Sequence, residues 1–284
     1  MALTTQTNQT GEAQVSLKSL ALRGSFWTIG GKGVGQVMRL GSNLVLTRLL
    51  FPEAFGLMAL VSVFLTGLHM LTDMGLVPNG IRNERGEDPR FYNTVFTMQV
   101  MRAVIVWLGA SALSIPFARF YAQPDLSQLL LAACTSVLVL GFRSTSIYTL
   151  SRRLLIRHLV LLELAAMIIR ISVTIGCALV WPSVWALVAG LMTHCVFMTI
   201  ASHFIIPEVR NRFAWDSSAT REIFRFGRWV FISTLFTFAA AQADQLMVAK
   251  MVTMQVMGVY MIAIIWALVP VEIFHQLSDG LIFP

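Results

Sequence analysis

Residues 23–56, RGSFWTIGGKGVGQVMRLGSNLVLTRLLFPEAFG, are answered late in the chain by residues 225–258, RFGRWVFISTLFTFAAAQADQLMVAKMVTMQVMG. At one gap-free offset of ~202 residues, Arg23, Trp27, Leu44, Arg48 and Gly56 fall on Arg225, Trp229, Leu246, Lys250 and Gly258. Both stretches are long and apolar. A repeat of that period in such a chain predicts two similar helical bundles with a cavity between them, the plan of a transporter.

Composition points the same way. The 284 residues are 56% hydrophobic and 12% charged, with a mean hydropathy of +0.72, which excludes an ordinary soluble domain. The apolar runs are each about 20 residues or longer, enough to cross a hydrocarbon core of ~30 Å. They fall at 25–47, 54–77, 92–118, 126–149, 158–181, 183–206, 228–250 and 256–283. Backbone polar groups in lipid need internal partners, so each run is expected to be a helix. The fold class is an all-α polytopic membrane protein of about eight transmembrane helices. Residues 1–17 are polar and lack an apolar h-region, which argues against a cleaved signal peptide.

The basic balance of +7 would suggest nucleic acid in a soluble protein. Here it encodes orientation. The N-terminal segment and every second loop hold Lys18, Arg23, Arg82, Arg85, Arg90, Arg152, Arg153, Arg157, Arg210, Arg212, Arg221, Arg225 and Arg228. The alternate connections hold Arg48, Arg119 and Lys250. The positive-inside rule therefore places the N-terminus in the cytoplasm.

Several familiar chemistries are not indicated. Cys134, Cys177 and Cys195 lie within predicted spans without C-x-x-C spacing, so neither zinc nor a disulfide framework is implied. The run Gly30-Gly31-Lys32-Gly33-Val34-Gly35 lacks the order of a phosphate-binding loop and sits in an apolar span. Its glycines suit close helix packing instead. The external connections, 48–53, 119–125, 181–183 and 251–255, are too short to hold a catalytic domain. No nucleophile–base pair or cofactor motif appears, so an enzyme is not expected, and no cofactor.

What remains is charge inside the membrane. Lys32, Arg39, Arg102, Arg143 and Arg170 fall within predicted spans, against acids at Asp73, Glu163, Asp244, Glu272 and Asp279. Each charge at a helix centre costs about 2.5–3.5 kcal/mol, so five cations in lipid would cost ~12–17 kcal/mol. They are expected to face a polar interior or to pair. Lys32 and Arg39 are two turns apart on one helix face, as are Glu163 and Arg170. Two readings stand beside each other. In one, Glu163 pairs with Arg143, and Arg143 and Lys32 snorkel to the interface. In the other, the arginines line a cationic cavity suited to phosphate, which guanidinium binds through charge-assisted, often bidentate bonds.

Leu46-Thr47-Arg48-Leu49-Leu50-Phe51-Pro52-Glu53-Ala54-Phe55-Gly56-Leu57, followed by Thr72-Asp73-Met74-Gly75-Leu76, resembles the opening of polysaccharide-family flippases. These Wzx-type translocases belong to the multidrug/oligosaccharidyl-lipid/polysaccharide (MOP) exporter superfamily. Asp244, Lys250 and Gly258-Val259-Tyr260 resemble that family's pattern across the seventh and eighth helices. The resemblance implies a two-bundle fold. Residues 1–24 would be a cytoplasmic segment, 25–206 the first six-helix bundle, 207–227 a cytoplasmic linker and 228–284 the start of the second bundle. The chain stops at Leu281-Ile282-Phe283-Pro284 within an apolar run, which reads as a truncation after the eighth helix.

The function so implied is flipping of an undecaprenyl-diphosphate-linked oligosaccharide across the bacterial cytoplasmic membrane by alternating access. The product would serve exopolysaccharide, capsule or O-antigen synthesis, with a polymerase and a chain-length regulator as partners. Arg39, Arg102, Arg170, Lys32 and Arg143 would bind substrate, and Asp244 and Glu163 would pair with cations or couple an ion. Arg48, Gly56 and Asp73 read as turn and hinge residues. Pro270 either bends the eighth helix during rocking or fixes a static kink. Trp181 and Trp185 read as interfacial belt, and Trp107 and Trp266 as core or sugar-stacking residues. Two rivals stay open: a MATE-like drug or metabolite antiporter of the same superfamily, with cationic substrates, and a non-transporting scaffold of an envelope-polysaccharide complex. The antiporter would want acids where the first bundle has cations.

Overall fold

The computed structural model describes residues 27–72, 89–153, 155–206, 211–271 and 274, with the backbone alone at 71–72, 89 and 217–231. Nine helices occur among the described residues. They are α1 (27–49), α2 (Pro52–Thr72), α3 (Pro89–Phe120), α4 (Pro124–Gly141), α5 (Ser146–Arg152), α6 (Ile156–Val180), α7 (Val184–Phe204), α8 (Ser217–Met251) and α9 (Met254–Ala267). Six spans, formed by α2, α3, α4, α6, α7 and α9 with its continuation to Val271, are long and apolar enough to cross a membrane. The chain is an all-α polytopic membrane protein. The first and seventh expected spans are also helical, as α1 and α8, but fall outside the six. They carry Lys32, Arg39 and Arg48, and Asp244 and Lys250.

Local chemistry sets the helix starts. Pro52 and Pro124 stand at first-turn positions where a missing N–H costs nothing. Thr253 caps α9 by accepting from the Val256 N–H at 3.4 Å, and Ser183 caps α7 by accepting from Trp185. Glu53 lies in the first turn of α2, at the positive end of its dipole.

The repeat is visible in the backbone. α1 ends at residue 49 and α8 at Met251; α2 begins at Pro52 and α9 at Met254. Both junctions therefore obey the sequence offset. The closing bonds match too: Leu50 N–H donates to the Leu46 carbonyl at 2.9 Å, and Val252 N–H to the Val248 carbonyl at 3.1 Å.

The main core joins α2, α3 and α4 to the α8–α9 junction. Leu60, Val61, Val106, Ala110, Leu126, Leu130 and Cys134 pack with Ala249, Met254 and Met257. A second cluster sets Leu46, Leu50, Ala54 and Phe55 against Ala178 and Ala186. The turns after α1, α3, α6 and α8 thus gather at one end of the molecule. There Tyr121 donates its hydroxyl to the Leu246 carbonyl at 3.2 Å, and Lys250 donates to the Phe120 carbonyl and stands over the Phe120 ring.

Two boundaries differ from expectation. The fourth span, expected as one helix over 126–149, is broken: α4 stops at Gly141 and α5 starts at Ser146. Gly141 lets α4 approach Ala103 more closely than a side chain permits. The carbonyls freed by the break are taken by the buried Gln99 amide, at 3.0 Å from both the Gly141 and Arg143 oxygens. Tyr148 from α5 donates to the Gln99 carbonyl at 2.9 Å. Helix also begins at Ser217, inside the stretch expected to be linker. The preceding residues are pinned: Arg212 N–H donates to Asn93, Ala214 N–H to Thr97, and Asn211 bonds both Ser144 and Thr145.

Candidate functional site

The arrangement of cations follows from how α1, α4, α6 and α7 meet. α1 and α6 run side by side in the same direction. Arg157 stands 5.2 Å from the centre of the Trp27 ring, Gly31 abuts Val160, and Gly35 faces Leu164 and Met167. That register carries Arg39 to the level of Arg170, and Lys32 to the level of Glu163. Lys32, Arg39, Glu163 and Arg170 are all exposed.

α7 lies against the other side of α6. Gly190 has no room for a Cβ beside Thr174, whose hydroxyl donates to the Arg170 carbonyl at 2.8 Å. One turn along α7, His194 lies beside the Ala166 backbone and within the field of Arg170. Its neighbour Cys195 is buried near Ser136 of α4 and lies within electrostatic reach of both Arg170 and Arg143. Arg39 is thus level with Arg170 along the α1–α6 pair, and Arg170 and Arg143 both lie in electrostatic reach of Cys195. Arg143 comes from the break between α4 and α5, not from a continuous helix.

Other expected residues stand apart. Arg102 is half-buried on α3, one turn beyond Gln99, and α3 packs chiefly on α4. Asp244 is exposed on α8. No ion pair joins Glu163 to Arg143 among the described residues, so the register-holding pair considered from sequence is not formed. Arg48 is exposed near the end of α1, and Gly56 is buried where α2 crosses α9. Pro270 follows a turn at Leu268 in a short helical continuation of α9. Asp73, Glu272 and Asp279 lie outside the described residues. Trp107 packs against the main core, while Trp181, Trp185 and Trp266 are exposed.

Sequence reasoning missed Gln36, Asn43, Gln99 and His194. The first two had a signal: Lys32, Gln36, Arg39 and Asn43 follow i, i+4, i+7, i+11 spacing and share one face of α1. Gln99 and His194 carried none, because their roles depend on what α4 and α6 bring beside them.

Guanidinium groups set among apolar helices can neutralise a phosphate or another anion held away from bulk water. Among the described residues there is no group of three or more His, Cys, Asp or Glu that could hold a metal.

A polysaccharide biosynthesis protein family model matches residues 45–284. The chain is 20% identical over 275 residues to the lipopolysaccharide biosynthesis protein WzxC of Escherichia coli (strain K12), covering 95% of this chain and 55% of that protein. It is 21% identical over 241 residues to the succinoglycan biosynthesis transport protein ExoT of Rhizobium meliloti (strain 1021), covering 84% of this chain and 48% of that protein. The chain spans about half the length of these curated relatives. No solved structure matches it.

Proposed function

The chain belongs to the polysaccharide biosynthesis protein family whose model covers residues 45–284, and from that premise we propose that it moves a polyprenyl-diphosphate-linked oligosaccharide across the bacterial cytoplasmic membrane. The observation that carries this reading is the register that sets Arg39 level with Arg170, together with Cys195 lying in electrostatic reach of both Arg170 and Arg143. The positive charge of these arginines would hold the diphosphate while the polyprenyl tail stays in lipid. Transport needs no bond to be made or broken. It needs the bilayer's cost for a charged head to be offset, and fixed cations along the path do that.

In this reading residues 25–206 form one bundle and 228–284 begin a second. The tight crossing of α2 on α9 is the surface about which the two rock, with Arg48 and Gly56 at the pivot. Lys32 guides the head from the cytoplasmic side. Arg102 lines the path farther along α3. Asp244 and Glu163 are the acids available to couple an ion to the movement. Polymerase and chain-length regulator take the product on the far side. The relatives' names, lipopolysaccharide biosynthesis protein and succinoglycan biosynthesis transport protein, favour an envelope polysaccharide over a cationic drug. The positive charge of Lys32, Arg39, Arg102, Arg143 and Arg170 argues against a small-molecule antiporter for cationic substrates.

The test is the lipid pool of cells lacking the gene. Polyprenyl-diphosphate-linked oligosaccharides are extracted, and their access to external periodate is measured in intact spheroplasts. Complete units that accumulate beyond the reagent's reach, and become accessible when the gene is restored, support the reading. Restoration by an Arg39→Gln, Arg170→Gln double variant as fully as by wild type would refute the cationic path.

A further inference from the structure

The polar face of α1 contains a residue whose burial is costly. Lys32, Gln36, Arg39 and Asn43 lie within about 60° of arc around the helix axis. Gly31 and Gly35, beside them, face α6. Lys32 and Arg39 are exposed and Asn43 half-buried, but Gln36 is only 8% exposed. Its side-chain nitrogen is sealed from solvent and has no hydrogen-bond partner among the described residues.

A buried amide with unmade donors is destabilising, because its desolvation is not repaid. In a membrane helix the alternatives are apolar. Leucine has similar bulk, forms helix well and carries no polar group to desolvate. The stability of this conformation therefore does not account for glutamine at position 36. A role as interhelical glue does not either, because glue requires a partner across the interface and the Gln36 nitrogen has none among the described residues. The remaining account is a partner that arrives.

The neighbours specify that partner's chemistry. Lys32 stands one turn before Gln36 and Arg39 one turn after, so an anion held by either cation brings its substituent past the amide. An amide is neutral and both donates and accepts. It contributes little to a phosphate beyond what two cations supply, but it matches a hydroxyl group. We infer that Gln36 is a specificity-determining residue that hydrogen-bonds the sugar adjoining the phosphate held by Lys32 and Arg39. This rests on the proposed function above and deepens it: the cations recognise the diphosphate common to all such carriers, and Gln36 reads the first sugar. Asn43, one turn beyond Arg39, extends the same face toward the next hydroxyls.

The experiment uses the full chain in nanodiscs and two probes, farnesyl diphosphate and glucosyl farnesyl diphosphate. Wild type binds the glucosylated probe about five-fold more tightly than the bare one, the worth of one net hydrogen bond. Gln36→Leu brings the ratio of the two affinities to about one, while the ligand-free melting temperature stays level or rises. Arg39→Gln weakens both probes together. A lowered melting temperature in Gln36→Leu and in the unbranched Gln36→Met would assign the amide to the fold and overturn the inference. An unchanged affinity ratio in either variant would overturn it too, leaving the cationic path intact if Arg39→Gln still weakens both probes. Failure of wild type to bind either probe would remove both the inference and the reading beneath it.

Discussion

Gly56 and Gly258 occupy reciprocal positions in one contact. A Cβ on Gly56 would overlap the Met254 carbonyl and lie 3.2 Å from the Gly258 nitrogen; a Cβ on Gly258 would overlap the Pro52 carbonyl and lie 3.2 Å from the Gly56 nitrogen. Pro52 and Met254 are themselves partners under the sequence offset, as are the two glycines. A contact in which residue i touches j' and j touches i' is what a local two-fold axis produces. The repeat first seen as five matched residues is thus also a relation in space, and the axis passes between the starts of α2 and α9.

Either glycine replaced by alanine places a methyl group against backbone, which has no rotamer to yield. Gly56→Ala and Gly258→Ala are each expected to lower stability by about 1–3 kcal/mol, the cost of overpacking. Because both act on one crossing, the double variant loses less than the sum of the two. Thermal unfolding in detergent checks this. Additive losses would mean that the glycines serve separate contacts.

The break at 142–145 supplies a second test. Gln99 uses its amide nitrogen on the Gly141 and Arg143 carbonyls and its oxygen on the Tyr148 hydroxyl, all at the buried join of α3, α4 and α5. Gln99→Leu leaves those carbonyls and the hydroxyl without these bonds and is expected to cost about 1–3 kcal/mol. Tyr148→Phe removes one bond and is expected to cost about 1 kcal/mol. Equal unfolding midpoints for wild type and Gln99→Leu would show that the break holds without the amide.

Much of this was legible in the residues. Hydropathy found the helices because a bilayer admits little else, and the offset found the α1–α2 and α8–α9 junctions. Periodicity could not find the break after Gly141. The run from Leu126 to Leu150 is apolar enough to continue, and the interruption depends on Ala103 and Gln99 of another helix. The cations were legible as a set but not as a constellation. Sequence cannot say that Arg39 and Arg170 share a level, since that follows from Gly31 and Gly35 lying against α6. Nor can it say that Arg102 stands apart on α3.

Tyr121 gives a pH-dependent prediction. Burial raises its pKa above the ordinary value of 10.0, because the phenolate would lose its hydration. The unfolded chain therefore releases this proton at a lower pH than the folded one. The sign follows: the stabilisation is fully present below pH ~10 and is lost as pH rises through the folded value. As pH rises above about 10, wild type should lose stability more steeply than Tyr121→Phe, which also lacks the bond to the Leu246 carbonyl. Parallel pH profiles would show that the Tyr121 hydroxyl is solvated.

Orientation decides which side the lipid-linked head enters, and it can be tested without any substrate. The turns after α1, α3, α6 and α8 gather at one end, where Gln123 is half-exposed beside Pro124. The basic loops alternate with these turns in the sequence, so the positive-inside rule puts Gln123 outside and Glu87 in the cytoplasm. In a variant lacking Cys134, Cys177 and Cys195, a membrane-impermeant maleimide applied to spheroplasts should label Gln123→Cys directly. Glu87→Cys should react only after permeabilisation. The reverse pattern would invert the chain, place the Lys32 end of α1 on the outer side, and turn the proposed entry into an exit. Labelling of both from outside would put residues 87 and 123 on the same side of the bilayer, and α3, apolar and long enough to span it from Pro89 to Phe120, would then not cross.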